Sequence, residues 1–121
     1  MIRILGEQKK ISIGRSQIEM PGSYLKHLEI GDVVVVLVNN WDLQPHVPSE
    51  YNRNIFCFDL SGKHLWRISA APWSEPSDPA PYTNVFIEDG ELRAYCCLGF
   101  FIRINVNDGS VEKTDPGGRL W

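Results

Sequence analysis

The chain repeats itself, and the repeat restricts its fold more than any other feature. Ile55-Phe56-Cys57-Phe58-Asp59-Leu60-Ser61-Gly62-Lys63-His64-Leu65-Trp66 and Phe101-Ile102-Arg103-Ile104-Asn105-Val106-Asn107-Asp108-Gly109-Ser110-Val111-Glu112 follow one plan. Each is an apolar run ending at Asp59 or Asn105, then a short glycine-bearing turn, then a second run. The Asp or Asn side chain can bond to backbone N–H groups two or three residues on and fix the turn. A further hairpin pattern precedes each copy, around Gly31-Asp32 and around Asp89-Gly90. A four-strand unit thus occurs twice, over residues 24–69 and 83–114.

The remaining pattern is of the same kind. Runs rich in Val, Ile, Phe, Tyr and Trp, bounded by turn residues, predict strands at 24–30, 33–38, 54–59, 63–69, 83–88, 91–98, 100–105 and 110–114. Residues 2–5 and 10–13 suit an opening hairpin, and Arg119-Leu120-Trp121 a short closing pairing. Asp89-Gly90 between apolar runs is a two-residue hairpin signal, because glycine tolerates the positive φ of a type I′ turn. Helical periodicity is confined to residues 16–28, where Pro21-Gly22 interrupts it. Val33 to Val38, Ile55 to Phe58 and Phe100 to Ile102 are apolar without alternation, so those strands need cover on both faces. The expected fold is all-β: one domain over residues 1–121, an antiparallel meander of two four-stranded blade-like sheets.

Phe58-Asp59-Leu60-Ser61-Gly62-Lys63-His64-Leu65-Trp66 resembles the blade repeat of quinoprotein-like (PQQ-like) and WD-type β-propellers. In those repeats a strand ending in Asp precedes a glycine turn and an outer strand carrying Trp. Ile104 to Val111 is a degenerate second copy that lacks the Trp. The resemblance is structural and covers two-thirds of the chain; propellers serve many functions. A closed propeller needs at least four blades. Two units imply either half-rings that associate or two sheets packed as a small sandwich, the preferred arrangement. A quinone would sit on the axis of a full ring, so no cofactor is implied.

Composition narrows the partner. Acids outnumber bases 15 to 12, for a net charge of −3, and the pI is about 5.5. That balance argues against nucleic acid, which calls for an excess of Lys and Arg. No run approaches the apolar length of a membrane span. Residues 1–10 carry charges where a secretory leader needs an apolar stretch. Cys57, Cys96 and Cys97 lack CxxC spacing and read as reduced, mostly buried thiols of a reducing compartment, so the expected location is cytoplasmic.

Alternate connections of a meander fall at the same end of a sheet. The tight turns at Gly31-Asp32, Ser61-Gly62, Asp89-Gly90 and Asp108-Gly109 are therefore expected at one end, and the long loops 39–53 and 70–82 at the other. Long loops in small domains often carry function. These hold Trp41, Asp42, His46, Glu50, Tyr51, Trp73, Glu75, Asp78 and Tyr82, which make the candidate partner-binding set. Aromatic residues on proline-stiffened loops suit protein recognition, although Trp41 and Trp73 could equally fold back to cap the sheet.

Catalytic patterns are weak. There is no HxH, HExxH or CxxC, so no metal site is expected. A Cys57–His64 pairing lacks an orienting acid, and His46 between Asp42 and Glu50 is the only other cluster. The expected function is a non-enzymatic protein-binding domain with the profile of a bacterial immunity or antitoxin-type inhibitor, whose acidic loops would steer a basic toxin domain. The alternatives are an assembly module that completes a propeller by homo-oligomerisation and a small hydrolase built on His46.

Overall fold

A computed structural model describes residues 2–4, 9–41, 47–72, 74, 75 and 77–114, with side chains of residues 2–4, 48 and 51 left aside. Among the described residues eleven strands and one helical turn follow in order: β1 (Ile2–Ile4), β2 (Lys10–Ile13), β3 (Ser16–Glu19), β4 (Tyr24–Ile30), β5 (Val33–Val38), α1 (Pro48–Tyr51), β6 (Ile55–Asp59), β7 (His64–Arg67), β8 (Tyr82–Glu88), β9 (Glu91–Cys96), β10 (Phe100–Ile104) and β11 (Val111–Lys113). They form three antiparallel sheets in the orders β1-β2-β3, β4-β5-β6-β7 and β11-β10-β9-β8. The two repeat units are thus two four-strand meanders, as their turns predict. The closing pairing expected at 119–121 lies outside the described residues. No helix among the described residues is long and apolar enough to cross a membrane.

The segment of interrupted helical periodicity is extended, in keeping with the all-β expectation, but it supplies a strand that was not foreseen at 16–19. Ser16–Glu19 is strand β3, paired with β2 around Gly14-Arg15. Gly14 adopts φ +60, so it opens a two-residue turn, and the alternating burial of β3 gives one wet face and one packed face. The turn at Gly14-Arg15 and a neighbour in register outweigh a loose helical spacing that Pro21 would break.

The first sheet explains the lack of alternation in β5 and β6, whereas β10 departs from expectation: Phe100 to Ile102 is packed on one face only, and Phe101 is 43% exposed. Val34, Val36, Val38, Phe56 and Phe58 face the first sheet and pack on Ile11, Ile13 and Met20. Val35, Leu37, Ile55, Cys57 and Trp66 face the last sheet and pack on Val85, Leu92, Ala94, Ile102 and Ile104. The central sheet is covered on both faces, so the side chains of Val34 to Val38 and Ile55 to Phe58 in its inner strands leave water. Each fully buried Val, Ile or Phe contributes on the order of 1.5–3 kcal/mol of transfer free energy.

The repeated turns close as their residue types dictate. Asp59 Oδ1 accepts from Ser61 N, Ser61 Oγ and Lys63 N at 2.9, 2.6 and 2.9 Å. In the second unit Asn105 Oδ1 accepts from Asn107 N, while Asp108 Oδ1 accepts from Ser110 N and Oγ. Asp89 (φ 54) and Gly90 (φ 75) make the two-residue turn between β8 and β9.

These bonds hold two carboxyls below the usual aspartate range, Asp59 chiefly through the Ser61 hydroxyl and Asp108 through the Ser110 N–H. A carboxyl whose folded pKa is depressed stabilises the fold above its unfolded value, and that gain fades as the pH falls through the folded value. The double variant Asp59→Asn/Asp108→Asn should therefore lose less of its urea midpoint than wild type between about pH 5 and pH 3. Equal acid sensitivity of the two proteins would contradict the assignment.

Candidate partner-binding surface

The two long connections meet, and one buried amide organises the meeting. Asn54, 1% exposed, donates through Nδ2 to Val38 O (2.9 Å) and Tyr82 O (2.8 Å) and accepts from Tyr82 N at 3.0 Å. It ties the end of β5 to the start of β8. Asn52 Nδ2 donates to Pro79 O at 2.6 Å, and Asn40 Nδ2 reaches Asn52 Oδ1 at 3.1 Å. One contact crosses the expected division of tight turns from long loops: Ser69 N, at the start of the second connection, donates to Gly109 O.

The helical turn is held by charge. Glu50 receives Arg53 and Arg67, each at 3.3 Å. Arg67 also donates to Arg53 O through Nε and lies over the Phe56 ring, 4.7 Å from its centroid. Burial pulls the Arg67 pKa down while Glu50 pushes it up. Glu50 is thus matched by two guanidiniums and anchors α1, which leaves it little charge to offer a partner.

The other candidate residues divide. Trp41 is 80% exposed, and its backbone N–H donates to Asn39 Oδ1, so an indole stands in water on a pinned backbone. It does not cap the sheet. Glu75 and Asp78 are exposed across a tight turn in which Asp78 N donates to Glu75 O. With Asn52, Ser74, Pro79 and Leu98 they line an open groove of about 410 Å³. Tyr82 must be withdrawn from the binding set. It is 1% exposed in the core, its hydroxyl donates to Ser69 O at 2.9 Å, and burial raises its pKa. A proline-rich approach suggested a loop tyrosine, but the β8 ladder begins at this residue. Asp42, His46 and Trp73 lie outside the described residues, as does the side chain of Tyr51.

A scan along the sequence finds one family model, described as a domain of unknown function (DUF7957), over residues 1–116. The chain belongs to the DUF7957 family. No curated protein and no solved structure matches it. In this DUF7957 chain Cys57 and His64 point to opposite faces of the central sheet. Cys57 packs toward the last sheet, and burial pushes its thiol up to about 12, far from a thiolate. His64 stands against Phe56 and Phe58 on the other side. Among the described residues of the DUF7957 chain, no three His, Cys, Asp or Glu side chains converge to hold a metal ion.

Sequence reasoning missed Asn52, which braces and lines the groove, and Asn54, which builds the surface from beneath. An asparagine beside a strand reads as a turn residue. Nothing local marks that its amide will face three backbone groups from distant segments.

Proposed function

We propose that the chain is a non-enzymatic binding domain that captures a basic protein partner through the meeting point of its long connections, as an immunity or antitoxin-type inhibitor would. The observation that carries this reading is Trp41. An indole kept 80% exposed loses its own hydrophobic gain in the free protein. Pinning by Asn39 removes ordering cost that a binder would otherwise bear, and Trp is the residue type most enriched at binding hot spots. Glu75 and Asp78 supply negative charge beside the groove to speed encounter with a basic surface.

The test is capture on the immobilised chain from an extract of the source organism, read by mass spectrometry. A stoichiometric basic protein is expected on wild type and absent with Trp41→Ala. That variant should keep its unfolding free energy within about 0.5 kcal/mol, as exposed substitutions do. Capture of the same protein by wild type and Trp41→Ala alike would overturn the assignment of the surface. A bound partner of acidic character would overturn the charge argument.

A further inference from the structure

The turn that joins β9 to β10 brings two thiols together. Successive side chains alternate faces along a strand, but Cys96 is the last residue of β9 and Cys97 the first of the turn. Gly99, at φ +98, donates its N–H back to Cys96 O at 2.9 Å and closes that turn. Cys96 is buried and Cys97 exposed, and their side chains are close enough to interact. The Leu98 N–H reaches Cys96 Sγ at 3.5 Å. A thiol that solvent reaches is thus coupled to one that it does not.

A single peptide unit between them holds two further contacts. Its carbonyl, Cys96 O, accepts from Gly99 N, and its N–H, from Cys97, donates to Pro81 O at 3.1 Å. Across a trans peptide the Cα atoms stand about 3.8 Å apart, short of the roughly 4.4–6.8 Å usual in disulfides. A bond between these neighbouring sulfurs therefore has to twist that peptide. Strained disulfides of this kind are the easily reduced, regulatory ones.

We propose that Cys96-Cys97 is a reversible dithiol–disulfide site, closed by hydrogen peroxide and reopened by a small dithiol. The Cys97 thiolate attacks one peroxide oxygen, so that an S–O bond forms, the O–O bond breaks and water leaves. Cys97 is then a sulfenic acid. The Cys96 sulfur attacks the Cys97 sulfur; the S–S bond forms, the S–O bond breaks, and a second water leaves with the Cys96 proton. Two thiols lose two electrons and two protons, and one peroxide becomes two waters. Exposure sets the order, because the oxidant reaches only Cys97. Burial raises the Cys96 pKa, and the Leu98 N–H opposes that shift by favouring the thiolate that must attack. Cys57 stays out of the reaction, buried between the central and last sheets. Closing the ring draws the Cys97 N–H off Pro81 O. Pro81 and Leu98 both line the groove that holds Glu75 and Asp78, so oxidation reshapes one wall of it. That effect on partner capture rests on the groove belonging to the binding surface, whereas the thiol chemistry does not.

The test treats the full chain with hydrogen peroxide, alkylates it under denaturing conditions and reads it by intact mass and peptide mapping. Wild type should fall from three alkylated thiols to one, Cys57, and become lighter by two hydrogens before alkylation. Dithiothreitol should restore all three. Cys96→Ser should stop at a Cys97 sulfenic acid that dimedone traps, and Cys97→Ser should keep both of its thiols. Hydrogen exchange at the Cys97 amide should quicken in the oxidised wild type. Wild type that carries sulfinic acid at Cys97 while Cys96 is still alkylated, or that links two chains through Cys97, overturns the proposal. An oxidised chain with unchanged exchange at Cys97 overturns the coupling to Pro81. The deciding readings are made on wild type, so they stand even if a variant fails to fold. None of them bears on Trp41, whose test is capture of a different protein by the reduced chain.

Discussion

Asn54→Leu is expected to lower the unfolding free energy by about 3–5 kcal/mol, because it orphans three buried backbone groups at about 1–3 kcal/mol each before relaxation. The groups are Val38 O, Tyr82 O and Tyr82 N, held at 2.9, 2.8 and 3.0 Å. Leucine keeps the branching of asparagine but is larger, so no packing is lost and overpacking adds to the cost of the orphaned groups. Such a loss is a large share of the 5–15 kcal/mol typical of a domain. Urea unfolding followed by tryptophan fluorescence reads it directly, and a loss under about 1 kcal/mol would show that solvent reaches these groups. Asn54→Asp sharpens the test. Its carboxylate still accepts from Tyr82 N but turns an oxygen onto two carbonyl oxygens. Burial and that repulsion raise its folded pKa, so the variant should be weakest near neutrality. It should regain stability relative to wild type as the pH falls through that raised value and the protonated carboxyl donates.

Legibility followed the distance over which each residue's reason acts. Asp59, Gly62, Asn105 and Gly109 announce their turns because an Asx side chain and a positive φ act within a few residues. Both four-strand units were legible from them. The unalternating Val33–Val38 correctly demanded cover on two faces, but the cover itself was half hidden. β3 lies in Ser16-Gln17-Ile18-Glu19, whose one inward apolar residue is too little for a pattern; only Gly14 at the turn betrayed it. The surface was legible to a lesser degree. Trp41 could be placed on a loop, yet its exposed indole follows from a backbone path fixed by the Trp41 N–H bond to Asn39 and the Asn40–Asn52 bond across that loop, which no local pattern announces. Tyr82 failed for the same reason in reverse, since its partner is Asn54, 28 residues away. The aromatic cluster on the last sheet is a product of register. Phe86, Tyr95 and Phe101 are unremarkable in sequence until pairing sets them side by side.

Trp66→Ala should cost about 3–5 kcal/mol, the range for removing a buried aromatic side chain. The indole is 6% exposed, donates to Val106 O at 2.8 Å and lies against Gly109, so it joins the two four-stranded sheets through one side chain. Gly109 is the complementary half of that joint. It holds φ +78, and a Cβ there would stand 2.5 Å from Trp66 Cε3 and 3.2 Å from Arg67 O. Gly109→Ala thus meets two penalties in wild type, backbone strain of about 1–2 kcal/mol and overpacking of about 1–3 kcal/mol. On the Trp66→Ala background the ring is gone, and the strain and the Arg67 contact remain. The double variant should therefore be less destabilised than the sum of the singles by about 1–3 kcal/mol, a coupling well above additivity error. Trp66→Phe separates the hydrogen bond from the packing: it keeps most of the ring but leaves Val106 O without its donor, and should fall between wild type and alanine. A coupling near zero would mean that the indole and the 105–110 turn do not form one joint. The sheets would then be held in register chiefly by the Asn54 clamp, and Asn54→Leu would have to account for most of the cooperativity between them.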